Sequence, residues 1–176
     1  KGCEYVFMEV SSHAIDQKRV SGIKFIGGIF TNLTQDHLDY HKDMVSYFEA
    51  KKKFFKMLPE SAFALSNADD PYGKKMLEGI KARKILYEFS DIEGPAILEG
   101  FQGRIIKNDF SGLEIVVNGE KIKSKLLGKF NAYNLLTVWS ASSLLGFDKE
   151  KVKKILEDVE PPRGRFEYFT SKTGVL

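Results

Sequence analysis

The chain has 176 residues, 43% of them hydrophobic, a formal net charge of +3 and a single cysteine, Cys3. That length supports a good-sized core, and the near-balanced charge argues against a nucleic-acid surface; the lysine clusters at 51–53, 121–125 and 149–154 read as solvated faces. No apolar run reaches transmembrane length, no signal-peptide pattern opens the chain, and one cysteine cannot build a disulfide framework, which suits a soluble protein of a reducing cytoplasm.

The first half alternates strand and helix signals. Strands are predicted at Tyr5 to Met8, Gly28 to Thr31, Ala62 to Ser66 and Lys84 to Tyr87, each a short apolar run. Helices are predicted at Met44 to Leu58 and Tyr72 to Ile80, the second opening on the acidic and proline start Asp69-Asp70-Pro71. From about Pro95 to Leu127 the runs shorten: Ala96 to Phe101, Gly103 to Lys107, Leu113 to Val117 and Lys121 to Leu126, with Asn118-Gly119 as a two-residue hairpin signal. Helices return at Ala132 to Leu145 and Lys149 to Asp158. Glu160 to Gly164 reads as a linker, and Arg165 to Leu176 as the start of a further domain's first strand. The fold class expected is α/β: a mostly parallel mononucleotide-binding sheet flanked by helices, with a small added antiparallel sheet.

Within the helix from Met44, the residues Met44, Phe48, Phe55 and Leu58 recur at helical spacing. Lys51 falls inside that stripe, whereas Lys52, Lys53 and Lys56 are expected to face away from it. A buried ammonium is costly, so such a lysine snorkels, finds a partner or gives up its proton. A neutral amine can take up carbon dioxide to become a carbamate, which is an anionic metal ligand.

Three polar segments follow apolar runs. Met8-Glu-Val-Ser-Ser-His13 follows the first, and Thr31-Asn-Leu-Thr-Gln-Asp-His-Leu-Asp-Tyr-His41 follows the second; Asn67-Ala-Asp-Asp-Pro-Tyr-Gly73 follows the third. In an open α/β sheet ligands sit beyond the carboxyl ends of the strands, which places Glu9, Asn32, Asp36 and His37 at a candidate edge. Carboxylate and imidazole there suit hard divalent cations.

These segments, with Ala50-Lys51, Gly128-Lys-Phe-Asn-Ala-Tyr-Asn-Leu-Leu136 and Pro162-Arg-Gly-Arg-Phe-Glu167, resemble the central domain of the Mur ligases, and in particular those that add the third amino acid of the peptidoglycan stem. The resemblance runs in the right order over nearly the whole chain. It implies a central ATP-binding domain over residues 1–160, and a linker with the start of a C-terminal ligase domain over 161–176. No G-x-x-x-x-G-K-[ST] phosphate loop occurs in the sequence, so the expectation is a piece of a longer, monomeric ligase, inactive by itself.

The resemblance further implies ATP-dependent amide-bond formation through an acyl phosphate, with two magnesium ions stabilising charge on the transferred phosphoryl group. The expected substrates are UDP-MurNAc-L-Ala-D-Glu and a diamino acid, meso-diaminopimelate or L-lysine. By resemblance Glu9 holds one magnesium, and His37 with carbamylated Lys51 holds the other. Ser11, Gln17 and Arg19 match positions that contact the muropeptide. Asn131 and Asn134 match the adenine site, and Arg165 a hinge arginine that approaches the nucleotide. His13 and His41 are assigned to packing or hydrogen bonding. Three alternatives stay open on the residues alone. One is another ligase of the superfamily, such as a folylpolyglutamate synthase; another is a binuclear metal hydrolase with a carbamylated lysine, against which the small number of histidines speaks. The third is a non-catalytic binding module, against which the intact set Glu9, His37 and Lys51 speaks.

Overall fold

The computed structural model describes residues 2–34, 43–90 and 99–161. The chain divides into two compact units, Lys1–Leu86 and Tyr87–Leu176. Six strands follow one another in sheet order, β1-β2-β3-β4-β5-β6, with parallel and antiparallel pairs both present and helices flanking them, so the fold is α/β.

The first unit holds α1 (Ser12–Asp16), β1 (Gly27–Phe30), α2 (Met44–Met57), β2 (Phe63–Asn67) and α3 (Gly73–Met76); β3 (Arg83–Phe89) begins in it. β1 and β2 run parallel from Gly27↔Phe63 to Phe30↔Ser66, which brings their carboxyl ends to one edge. Asp43 starts α2 by accepting from the Ser46 N–H at 2.7 Å, and that hydrogen bond holds its carboxyl below the ordinary aspartate range. α2 then buries Tyr47, Phe48, Phe54 and Phe55 against Ile15, Phe30 and Met76. Each such side chain contributes about 1.5–3 kcal/mol on burial, which fixes the helix to the unit.

Two expectations need correction here. Tyr5 to Met8 is not a strand: Val6 is 82% and Phe7 69% exposed, and no strand among the described residues pairs with the run. An apolar run makes a strand only where a neighbouring backbone completes its hydrogen bonds. The helix expected over 72–80 is a single turn, α3. The N–H groups of Leu77 and Glu78 close back on the Lys74 and Lys75 carbonyls three residues earlier, and Gly79 then turns the chain at a φ of 70°.

The second unit carries β4 (Gly100–Asp109), β5 (Gly112–Val117) and β6 (Glu120–Ser124) as an antiparallel meander, then α4 (Lys129–Leu144) and α5 (Lys149–Asp158). The first hairpin closes where Asp109 accepts from both the backbone N–H and the hydroxyl of Ser111. The second closes at Asn118-Gly119, whose φ values of 48° and 86° are those of the turn that matches strand twist. β4 is one ten-residue strand with an irregularity between Ile105 and Lys107, where two runs were expected; residues 96–98 of the first run lie outside the described residues. Trp139, Leu135 and Leu136 of α4 are buried, as are Ile115 and Val117 of β5. Glu120 at the start of β6 accepts from Lys149 at 3.0 Å and Lys153 at 2.9 Å, joining the strand to α5.

Candidate active site

In the first unit the parallel pair sets the frame. Thr31 to Leu33 leave β1 on the same edge where Asn67 ends β2. The Asn67 amide donates to the Thr31 carbonyl at 2.9 Å, and Asp70 accepts from the Leu33 N–H at 2.9 Å. Asn32, between those two, is exposed. Glu9 is exposed as well, while its neighbour Val10 packs on the core. The partly buried valine therefore anchors the backbone that presents the carboxylate.

Ser11 begins α1, accepting from the Ala14 N–H at 3.2 Å. Its hydroxyl therefore caps the helix. Gln17 ends the same helix with its N–H on the His13 carbonyl. Lys18 takes a φ of 55°, and the Arg19 N–H then closes on the Ala14 carbonyl at 2.8 Å, leaving Arg19 exposed. Ser11 and Gln17 thus cap the two ends of one short helix, and Arg19 follows in the turn after it. Lys53 of α2 pairs with Asp16 of α1 at 2.6 Å, so the two helices are held together.

The lysines of α2 are arranged differently from expectation. Lys52 is buried, 8% exposed, with its ammonium donating to the Lys75 carbonyl at 2.7 Å and lying 5.3 Å from the centre of the Phe48 ring. Phe48, Lys52 and Phe55 stand one and two turns apart along one line, and that line faces the core. Lys52 is tolerated there because a carbonyl and a ring face receive its charge. Lys51 is half-buried beside that line, with its ammonium 5.0 Å from the Tyr47 ring centre. Sequence reading singled out one lysine, and the structure separates two: Lys52 as a packing element and Lys51 as the more accessible neighbour.

In the second unit α4 starts at Gly128, whose N–H donates to Asn108 at 3.0 Å. Asn131 is therefore not the capping residue. It is buried, and its amide donates back to the Leu127 carbonyl at 2.7 Å. Because a carbonyl can only accept, this bond fixes the Asn131 amide group, and its oxygen then receives the Asn134 amide at 3.2 Å. Asn134 is exposed, and its own oxygen stays an acceptor suited to an exocyclic amine.

Asp36, His37, His41 and Arg165 lie outside the described residues. Among the described residues no three histidine, cysteine, aspartate or glutamate side chains gather as a metal group. Glu9 by itself offers an exposed oxygen donor, the type that magnesium accepts while keeping several waters. Sequence reading missed α1, the burial of Lys52, the Asn108 contact, and the two long-range hydrogen bonds from Asn67 and Asp70. Only α1 had a local signal, in Ser11 as a capping residue.

The fold is that of an open-sheet α/β domain whose polar groups gather at the carboxyl edge of the parallel strands. Residues 1–142 match the model of the Mur ligase middle domain, and the chain belongs to that family. It is 50% identical, over 98% of its length, to the UDP-N-acetylmuramoyl-L-alanyl-D-glutamate--2,6-diaminopimelate ligase of Parabacteroides distasonis, covering 34% of that protein. Against the ligase of the same name from Geobacter metallireducens the identity is 39%, with 99% of this chain and 35% of the relative covered. The chain spans about a third of the length of the curated relatives it matches. Among solved structures, MurF ligase from Thermotoga maritima in complex with ADP superposes with a TM-score of 0.67 at 16% identity, over 93% of this chain and 36% of that one. A pseudomurein peptide ligase type C from Methanothermus fervidus gives 0.67 at 18% identity, over 90% and 38%. At these identities the two structures establish the fold.

Proposed function

We propose that this chain is the central ATP-binding segment of a ligase that joins diaminopimelate to UDP-MurNAc-L-Ala-D-Glu in peptidoglycan synthesis. The observation that carries the reading is the 50% identity, over 98% of the chain, to a ligase of that name. The curated relatives with this name favour diaminopimelate over L-lysine as the third residue. Residues 1–160 form the central domain, and 161–176 lead into a C-terminal ligase domain. The segment works in the cytoplasm as part of a monomeric enzyme. By itself it turns over no ATP, because it carries no phosphate loop. No helix among the described residues is long and apolar enough to cross a membrane.

ATP phosphorylates the D-glutamyl side-chain carboxylate, an amine of diaminopimelate attacks the acyl phosphate, and phosphate leaves as the amide forms. Bound magnesium supplies charge stabilisation to the phosphoryl oxygens. Glu9 would hold one ion, and His37 would hold the second together with Lys51 as a carbamate formed by uptake of carbon dioxide. Lys51 is half-buried, which leaves its amine within reach of carbon dioxide from solvent and supports that role. Asn134 presents its amide oxygen to the adenine amine, and Arg165 approaches the nucleotide. Ser11, Gln17 and Arg19 hold the muropeptide, with Arg19 pairing an anionic group through two hydrogen bonds.

Steady-state kinetics of full-length Arg19→Ala test the substrate assignment. The apparent KM for the muropeptide is expected to rise about tenfold to a hundredfold, as for loss of a charge-assisted contact, with that for ATP little changed. An unchanged muropeptide constant, or turnover of a folate substrate instead, contradicts the reading.

A further inference from the structure

The geometry points to Asn67 and Asp70 as positioning residues of the ligase reaction, clamping the chain that leaves β1 so that Asn32 is presented in one fixed place. This inference rests on the ligase reading above. Beyond Phe30 the backbone leaves the parallel ladder, and its polar groups lose their strand partners. Thr31 is exposed, so water would satisfy it at little cost. Instead Asn67 donates to the Thr31 carbonyl at 2.9 Å, and Asp70 accepts from the Leu33 N–H at 2.9 Å. The two bonds bracket Asn32 from either side. Leu33, 7% exposed, anchors the same stretch in the core.

The clamp is itself held. The Asn67 oxygen accepts from the Asp69 N–H at 3.0 Å, and the second Asp70 oxygen accepts from the Tyr72 N–H at 2.8 Å. Both side chains therefore use each of their polar atoms on backbone. Gly73 lies so close that a Cβ there would stand 1.6 Å from the Asn67 carbonyl oxygen, and the Ser66 hydroxyl donates to the Gly73 carbonyl at 2.8 Å. A turn that only had to reverse the chain would need none of the bonds to Thr31 and Leu33. An exposed asparagine at a sheet's carboxyl edge, fixed by supports from the next strand, has the construction of a group held ready for a ligand.

The test uses the full-length enzyme with Asp70→Asn, Asn67→Ala, Asn32→Ala and, as control, Ser66→Ala, which loosens the same turn without touching Thr31 or Leu33. Asp70→Asn is expected to speed amide hydrogen exchange of the 31–34 stretch by about tenfold or more, as local opening requires. It is also expected to lower kcat about tenfold while the apparent KM for ATP stays within about twofold, the split expected of lost positioning. Asn67→Ala is expected to do the same. Asn32→Ala lowers kcat alike without changing exchange, and the double variant Asn32→Ala with Asp70→Asn is no slower than either single one. The assignment is overturned if the clamp variants match Ser66→Ala in kcat, or if the double variant shows multiplied losses. A wild-type enzyme with no ligase activity overturns the ligase reading and this role with it; the exchange data then still show whether the clamp exists, which keeps the two failures distinct.

Discussion

The Lys52 ammonium donates to the carbonyl of Lys75 at 2.7 Å, joining α2 to α3 through a buried charge. Lys51, one residue earlier, lies over the Tyr47 ring and outside that joint. On the proposed function the two lysines separate stability, at Lys52, from chemistry, at Lys51. Lys52→Ala is expected to lower thermal stability by roughly 1.5–3 kcal/mol, the range for a hydrogen bond to a charged group. Lys51→Ala and Lys51→Arg are expected to leave the melting temperature near that of the parent and to remove most product formation in the full-length enzyme, since neither side chain can carry a carbamate. Calorimetry beside an activity assay checks both; near-normal rates for Lys51→Arg would mean that only a positive charge is needed.

The asparagine pair of α4 gives a second contrast. Asn134→Ala removes an exposed amide, so the apparent KM for ATP is expected to rise by about 1–2 kcal/mol equivalent, near tenfold, with little change in melting temperature. Asn131→Ala takes away the bond to Leu127 and the partner that orients Asn134. It is expected to weaken ATP and also to destabilise the fold. Equal losses for ATP and GTP in Asn134→Ala would assign the effect to the helix and not to the base.

A pH dependence follows from the group joining β6 to α5. Hydrogen bonds and charge from Lys153 and Lys149 hold the Glu120 carboxyl below the ordinary glutamate range. The Glu120 and Glu150 carboxylates hold Lys153 above the ordinary lysine range. Glu120 thus contributes stability that is present above its unfolded value and lost as pH falls through the lower folded one. Lys153 contributes stability that is present below its unfolded value and lost as pH rises through the higher folded one. Both groups are solvated, so the effect is small and weakens with salt. Melting curves of Glu120→Gln across the acid range are expected to be flatter than those of the parent; an unchanged acid slope would remove Glu120 from the account.

Much of this was legible from local pattern. The apolar spacing of Phe48 and Phe55 marked α2, and Asn118-Gly119 marked its hairpin through the positive φ that only such pairs accept readily. The Tyr5 to Met8 run misled, because strand formation depends on a partner that apolarity alone does not specify. The assignment of Lys51 to the centre of the stripe misled for a related reason: the face a helix buries is set by what packs on it, here the Lys75 carbonyl. The clamp was illegible because Asn67 and Asp70 reach partners 36 and 37 residues away, and no periodicity encodes that distance.

The central claim is the ligation itself, and mass spectrometry of the reaction products tests it most directly. Full-length enzyme is incubated with ATP, magnesium, UDP-MurNAc-L-Ala-D-Glu and meso-diaminopimelate. The account predicts a product carrying one added diaminopimelate residue, formed with one ADP and one phosphate per amide. Lack of that product with diaminopimelate, or ligation of glutamate to a folate in its place, would contradict it.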